Sequence, residues 1–231
     1  MTILMRAGVI AIAAVALGIG LSGCGSDTQT EESTATSATE SETTSSEAPP
    51  TSAEAAAPAK TIVDYIKENN ITEAPVKRGD PGAPTIDLPL PEGWEPMGPN
   101  TPAWAYDGIV FTADPAMAQD PPTIIAIVSK LTGNVDPAKI LEYAPGEIQN
   151  LEGFEGPATG QPSELSGFDA TQVGGMYVRD GVTRMIAQKT VVIPGQDGLF
   201  VLQLNADGTE AQAMPLMDAT AAIDEQAKIT P

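Results

Sequence analysis

All ten aromatic residues of this 231-residue chain fall between Lys60 and Pro231. Aromatic side chains bury more surface than any others and dominate core energetics, so the core has to be built from this C-terminal stretch, whose length suits one core. The preceding residues 25–59, GSDTQTEESTATSATESETTSSEAPPTSAEAAAPA, hold seven acids, no base and no aromatic. Such a segment cannot bury enough apolar surface to offset its ordering entropy, and we expect a disordered tether. As a flexible coil it has a root-mean-square reach on the order of 30–35 Å. Glycosylation of its Ser/Thr tract is a functional alternative to a plain spacer. No internal repeat is visible.

The first residues, MTILMRAGVIAIAAVALGIG, carry one charge, at Arg6, and an apolar small-residue run from Ala7 to Leu21. This pattern is that of a secretory signal peptide. The run to Cys24 approaches the ~18 residues that span a bilayer. However, five of its residues are Gly or Ser, and no basic stop-transfer cluster follows. Cys24 is the single cysteine, and the order Leu21-Ser22-Gly23-Cys24 resembles the lipobox of bacterial lipoproteins, in which the cysteine sulfur takes a diacylglyceryl group before cleavage. This implies a signal peptide over 1–23, an acylated Cys24 as mature N-terminus and a tether over 24–59. An uncleaved anchor with an incidental cysteine is the alternative, and it gives the same topology. Each buried methylene contributes about 0.8 kcal/mol and one chain binds only marginally, so two or three acyl chains are needed for a firm hold. The expected location is the outer face of the plasma membrane, with the bilayer as a partner through Cys24.

The chain has no histidine, and no second cysteine with which to close a disulfide. The usual general base near neutral pH and the commonest metal ligand are therefore missing, and the lipid claims the only thiol. Serine and cysteine triads, zinc sites and thiol redox chemistry are excluded; no cofactor or metal is expected, and no enzyme. An acid-pair hydrolase remains conceivable, but no local pattern marks one. Residues 60–231 hold 24 acids against 10 bases, a net charge of −14. Nucleic acid and anionic headgroups are poor partners for such a surface.

Within the domain, TIVDYIKENN (61–70) begins with a Thr cap and an Asp three positions on, and predicts a short helix with Ile62, Tyr65 and Ile66 on one face. In PGAPTIDLPLPEGWEP the prolines allow only an edge strand around Thr85–Leu90, with Gly93 turning into Trp94. GIVFTA (108–113) and TIIAIVSKL (123–131) read as strands, the second apolar enough to lie centrally. Asp136-Pro137 starts a helix that Pro145-Gly146 should split. Three strands in series follow, joined at Arg179-Asp180-Gly181 and at Pro194–Gly198. A last helix spans about Thr209–Gln226, with Ala213, Leu216, Met217 and Ile223 at helical spacing. The expected class is α+β, an antiparallel sheet flanked by helices.

Three features attract a functional reading. Gly174-Gly175 inside a strand signals a bulge, a bend that lets a helix pack, or a close approach by something else. NADGTE (205–210) faintly resembles the start of a calcium loop but lacks its terminal glutamate, and a strand-to-helix turn explains it better. Trp104 and Tyr106 in NTPAWAYDG are either core plugs or the lining of a cleft for a sugar or acyl chain, to which Met97, Met176 and Met185 could add adaptable apolar walls.

Taken together, LSGC, the Ser/Thr tether, TIVDYIKENNI, GDPGAPTIDLPLPEGW, PPTIIAIVSKLTGNVDPAKILEYAPGEIQNL, AQKTVVIP, FVLQLNAD and MDATAAIDEQAKITP resemble the LpqN/LpqT family of envelope lipoproteins of mycolate-walled bacteria. The resemblance runs from Thr61 to Pro231. It implies a PsbP-like α/β/α sandwich and a non-enzymatic role: binding or handing on a trehalose-containing glycolipid, beside MmpL-type transporters whose periplasmic domains are partners. An adaptor without lipid cargo is the competing reading. Only Cys24 carries over as a site residue.

Overall fold

The computed structural model describes residues 57–231; the signal peptide, Cys24 and nearly all of the tether lie outside the described residues. The first helix, α1 (Ile62–Glu68), opens with a capping box. The Thr61 hydroxyl accepts from the Asp64 N–H at 3.1 Å, and the Asp64 carboxylate accepts from the Thr61 N–H at 3.0 Å. Just before it, Asn150 clamps the chain: its amide accepts from the Ala59 N–H and donates to the Ala59 carbonyl, both at 2.8 Å.

Five strands follow: β1 (Thr72–Pro75), β2 (Thr85–Asp87), β3 (Trp94–Pro96), β4 (Asp107–Phe111) and β5 (Thr123–Thr132). Two short helices, α2 (Pro137–Tyr143) and α3 (Pro145–Gln149), are divided at Pro145, which cannot donate to the preceding turn. Next come β6 (Gln161–Leu165), β7 (Phe168–Arg179), β8 (Val182–Gly195) and β9 (Gly198–Thr209). The long helix α4 (Ala213–Gln226) and a final β10 (Lys228–Thr230) complete the fold. The main antiparallel sheet has the order β3-β4-β5-β9-β8-β7-β6, with β1 pairing β5 beyond β4, and β10 pairs β2 separately. Asp180 and Gly181, at φ 54° and 75°, turn β7 into β8, the left-handed pair a two-residue hairpin requires.

Alternation sends successive side chains to opposite faces. One face, with Ile124, Ala126, Val191, Ile193, Leu202 and Leu204, packs on Leu216, Ala219 and Ile223 of α4. The other, with Leu131, Val192, Leu199 and Val201, packs on α1 and α2. Ile148 of α3 closes a smaller cluster with Val173, Tyr177 and Ile186. The protein is thus an α+β sandwich with helices on both faces of an antiparallel sheet.

Differences from the sequence reading have local causes. β1, β3, β6 and β10 were not expected; each is only three to five residues long, too short for a period-two pattern to mark it. The last helix begins later than Thr209, because β9 runs to that residue and a 3₁₀ turn (Glu210–Gln212) intervenes. NADGTE is therefore mostly strand. Its Asp207 accepts from the Arg184 guanidinium at 2.5 and 3.0 Å and from the Tyr177 hydroxyl. Arg184, 4% exposed, also donates to Asp120. Burial opposes its charge, but the bonds to Asp207 and Asp120 more than offset this and raise its pKa.

Candidate functional site

A helix is about 10 Å across and sheet strands lie ~4.8 Å apart, so one helix cannot cover a wide sheet. α4 sits over β5 and β9 and leaves part of β7 and β8 uncovered. The result is a groove of about 430 Å³ between α4 and the sheet, within the range of small-molecule sites. Its floor is low because Gly174 and Ala187 carry little or no side chain there, and Leu204, Ala206 and Ile124 form its inner wall. α4 contributes Met217, Thr220, Ala221 and Asp224.

The groove has a direction. Met185 pairs with Gly208, which packs beneath Leu216 near the start of α4. At the other end, Lys189 donates to Asp224, eight residues and ~12 Å further along the helix. Gln161 and Gln172 lie at this second end, where β6 meets β7. One end therefore carries a cation, a carboxylate and two amides, and the other carries Gly174, Ala187 and Met217. Met176 and Met185 are register partners two residues beyond Gly174 and Ala187, so they extend the apolar end on the same face.

The two glycines do different things. A Cβ on Gly174 would meet Ala187 at ordinary contact distance, so its bareness opens the groove floor. Gly175 faces the opposite side, where residues 152–155 lie against the edge of β7 and a Cβ would come within 2.7 Å of the Phe154 ring. There Glu155 and Met176 exchange backbone hydrogen bonds of 2.8 and 2.9 Å. For Gly175 the close approach is the operative reason, not a sheet bend.

The remaining aromatic and methionine candidates lie elsewhere. Tyr106 is a core plug, 6% exposed, whose hydroxyl donates to the Pro84 carbonyl at 3.1 Å and accepts from the Ile86 N–H. Trp104 is 58% exposed, in a turn held by Lys77, whose ammonium donates to the Ala103 and Ala105 carbonyls. Met97 covers Gly108 on the sheet face away from α4. None of the three lines the groove, so Trp104 and Tyr106 do not form a shared cleft. Cys24 lies outside the described residues. Lys189, Asp224, Ala187 and Met217 were missed as site residues; the signals available were the bare Gly174 and the alanine-rich α4, which packs closely without filling its flanks.

A second hollow, of about 640 Å³, lies on the other flank of α4 beside Trp94 and Phe111. On the opposite sheet face, burial pushes the Glu147 carboxyl up, while a bond from Gln203 at 3.0 Å partly counters this. Among the described residues no group of three His, Cys, Asp or Glu side chains is placed to hold a metal.

Comparison with known proteins agrees with this architecture. The family profile described as "Probable lipoprotein LpqN" matches residues 58–230. Lipoprotein LpqN of Mycobacterium tuberculosis is 56% identical over 178 residues, 77% of each chain. A putative lipoprotein LpqT of Mycobacterium leprae is 25% identical over 133 residues, covering 58% of this chain and 57% of that one. The crystal structure of the M. tuberculosis LpqN described as involved in cell envelope biogenesis superposes with a TM-score of 0.70 at 55% identity, covering 76% of this chain and all of that one. The profile match alone spans well over half the sequence, and the chain belongs to the LpqN family of lipoproteins.

Proposed function

We propose that the domain is the ligand-receiving part of a membrane-tethered lipoprotein that serves cell envelope biogenesis by holding or handing on an acylated sugar of the trehalose-mycolate type, without chemical conversion. In this reading Cys24 carries the acyl anchor on the outer face of the plasma membrane. The tether lets the domain travel between the bilayer and the periplasmic domains of an MmpL-type exporter. The observation that carries the proposal is the amphipathic groove beside α4, polar at the Lys189–Asp224 end and apolar toward Met217. An acyl chain laid over Gly174 and Ala187 leaves a sugar headgroup at the polar rim near Gln161 and Gln172. The relative described as involved in cell envelope biogenesis supports the setting.

Apolar burial supplies most of the affinity, at roughly 25 cal/mol per Å² or ~0.8 kcal/mol per methylene, which is about fourfold in Kd. Calorimetric titration with trehalose monoesters of increasing chain length, beside matched maltose esters, tests the reading. Affinity should rise stepwise with chain length and favour trehalose at equal length. Equal and weak binding throughout supports the adaptor role instead. Met214 and Met217, 65% and 58% exposed on α4, are then the apolar contacts for a protein partner. Release of free sugar or acid during incubation contradicts the non-enzymatic reading.

A further inference from the structure

We infer that Lys189 and Asp224 form an exchangeable ion pair that reads the first oxygen of a bound chain, making the groove selective for acyl esters and carboxylates over plain alkyl ethers. The inference rests on the groove being a chain-binding site. Lys189 is one of ten bases in a strongly acidic domain, yet it is buried, 8% exposed, in the lining of an otherwise largely apolar groove. Burying an ammonium in such a lining is unfavourable, and as a clamp between helix and sheet an apolar pair would serve as well or better. A mechanical role alone does not account for the cation.

The hydrogen bonding leaves room for a ligand. An ammonium has three donors. Among the described residues its one hydrogen-bonded acceptor is Asp224 Oδ1, at 2.6 Å. Asp224 is 43% exposed on its side chain against 10% for Lys189, so the carboxylate has more freedom to turn to water than the cation has. A chain lying toward Met217 brings its terminal carbonyl to the Lys189 end. An ester carbonyl accepts one of the unused donors, and a free carboxylate competes with Asp224 itself. An ether oxygen in the same place is a weaker acceptor and carries no charge. The Asp224 carboxylate, once turned outward, accepts from hydroxyls of a headgroup.

Three probes of equal chain length separate these roles: the dodecanoyl ester and the dodecyl ether of one disaccharide, and dodecanoate. They are titrated below their aggregation concentrations into the full chain carrying Cys24→Ser, so that no acyl group of its own competes. The ester should bind roughly tenfold tighter than the ether, the scale of a hydrogen bond to a charged group less the exchange with Asp224. Lys189→Met should bring the ester down to the ether's affinity while leaving the chain-length dependence intact, and Lys189→Arg should retain much of the preference. Asp224→Asn should strengthen dodecanoate most, because its competitor is gone. Equal affinity of ester and ether in the unsubstituted protein, with chain-length dependence preserved, overturns the inference and leaves the groove reading standing. Absence of chain-length dependence overturns both. The ester–ether comparison needs no substitution at Lys189, so it decides even if a variant fails to fold.

Discussion

Gly174 and Gly175 are neighbours on one strand with opposite structural duties, and alanine at each should separate them. At Gly175 an added methyl meets the Phe154 ring at 2.7 Å and the Glu155 carbonyl closer still, so the 152–155 segment must lift from β7. That segment is held by three backbone hydrogen bonds: Glu155 to Met176 in both directions, at 2.8 and 2.9 Å, and Val178 N–H to the Glu152 carbonyl at 2.8 Å. At about 0.5–1.5 kcal/mol each, with some loss of Phe154 burial and an offset of ~0.5–1 kcal/mol from replacing a strand glycine, the net cost is about 2–3 kcal/mol. For a domain of this size that lowers Tm by roughly 5–10 °C. At Gly174 the nearest atom is the Ile186 carbonyl oxygen at 3.2 Å, and the next are at 3.5 and 3.7 Å. Gly174→Ala should therefore stay within about 0.5 kcal/mol of the parent. Thermal unfolding followed by circular dichroism measures both, and hydrogen exchange at the Met176 and Val178 amides should accelerate only in Gly175→Ala. Equal stability of the two variants would refute the assignment of Gly175 to a close approach.

Cys24→Ser should abolish metabolic labelling with a fatty-acid probe; label on the variant, or none on the parent, contradicts acylation at this residue. A fragment spanning 57–231 contains no cysteine and keeps the Ala59–Asn150 clamp; it should unfold cooperatively at a temperature indifferent to reductant. Glu147 has its carboxyl pKa raised by burial, so the folded state binds its proton more tightly than the unfolded chain. Its stabilising contribution is present below the ordinary carboxylate value of 4.5 and is lost as pH rises through the folded value. Glu147→Gln should therefore raise Tm at neutral pH, with the gain shrinking as pH falls through the carboxylate range.

The sequence made the long elements legible because each carries a signal its physics requires: the Thr61–Asp64 capping box, Asp136-Pro137, the β-branched run of β5, and Asp180-Gly181 between β7 and β8. The short strands were illegible for a matching reason. TEAP in β1 and QPSEL in β6 become strands only because β5 and β7 offer edges, and nothing within four or five residues encodes that pairing. The groove was harder still, because it is defined by what is missing. Gly174-Gly175 reads as one paired signal in the sequence, and only the structure separates a bare groove floor at Gly174 from a close approach at Gly175. Ala187 and Lys189 matter only because α4, far along the chain, leaves them uncovered. Tyr106 and Trp104, two positions apart in a loop-like segment, looked like a pair. Their separation into core plug and exposed ring follows from the bonds of Tyr106 to Pro84 and Ile86, which no local pattern announces.

The central claim is that an acyl chain lies beside α4, and photo-crosslinking tests it most directly. A trehalose ester bearing a diazirine near the chain terminus would be irradiated with the protein and the adducts mapped by peptide mass spectrometry. The groove account predicts label on the apolar end, at Met217, Ala187 or the Met176–Met185 pair, competed away by unlabelled long-chain ester. Competable label confined to the 100–106 turn around Trp104, with none on α4 or on β7 and β8, would contradict it.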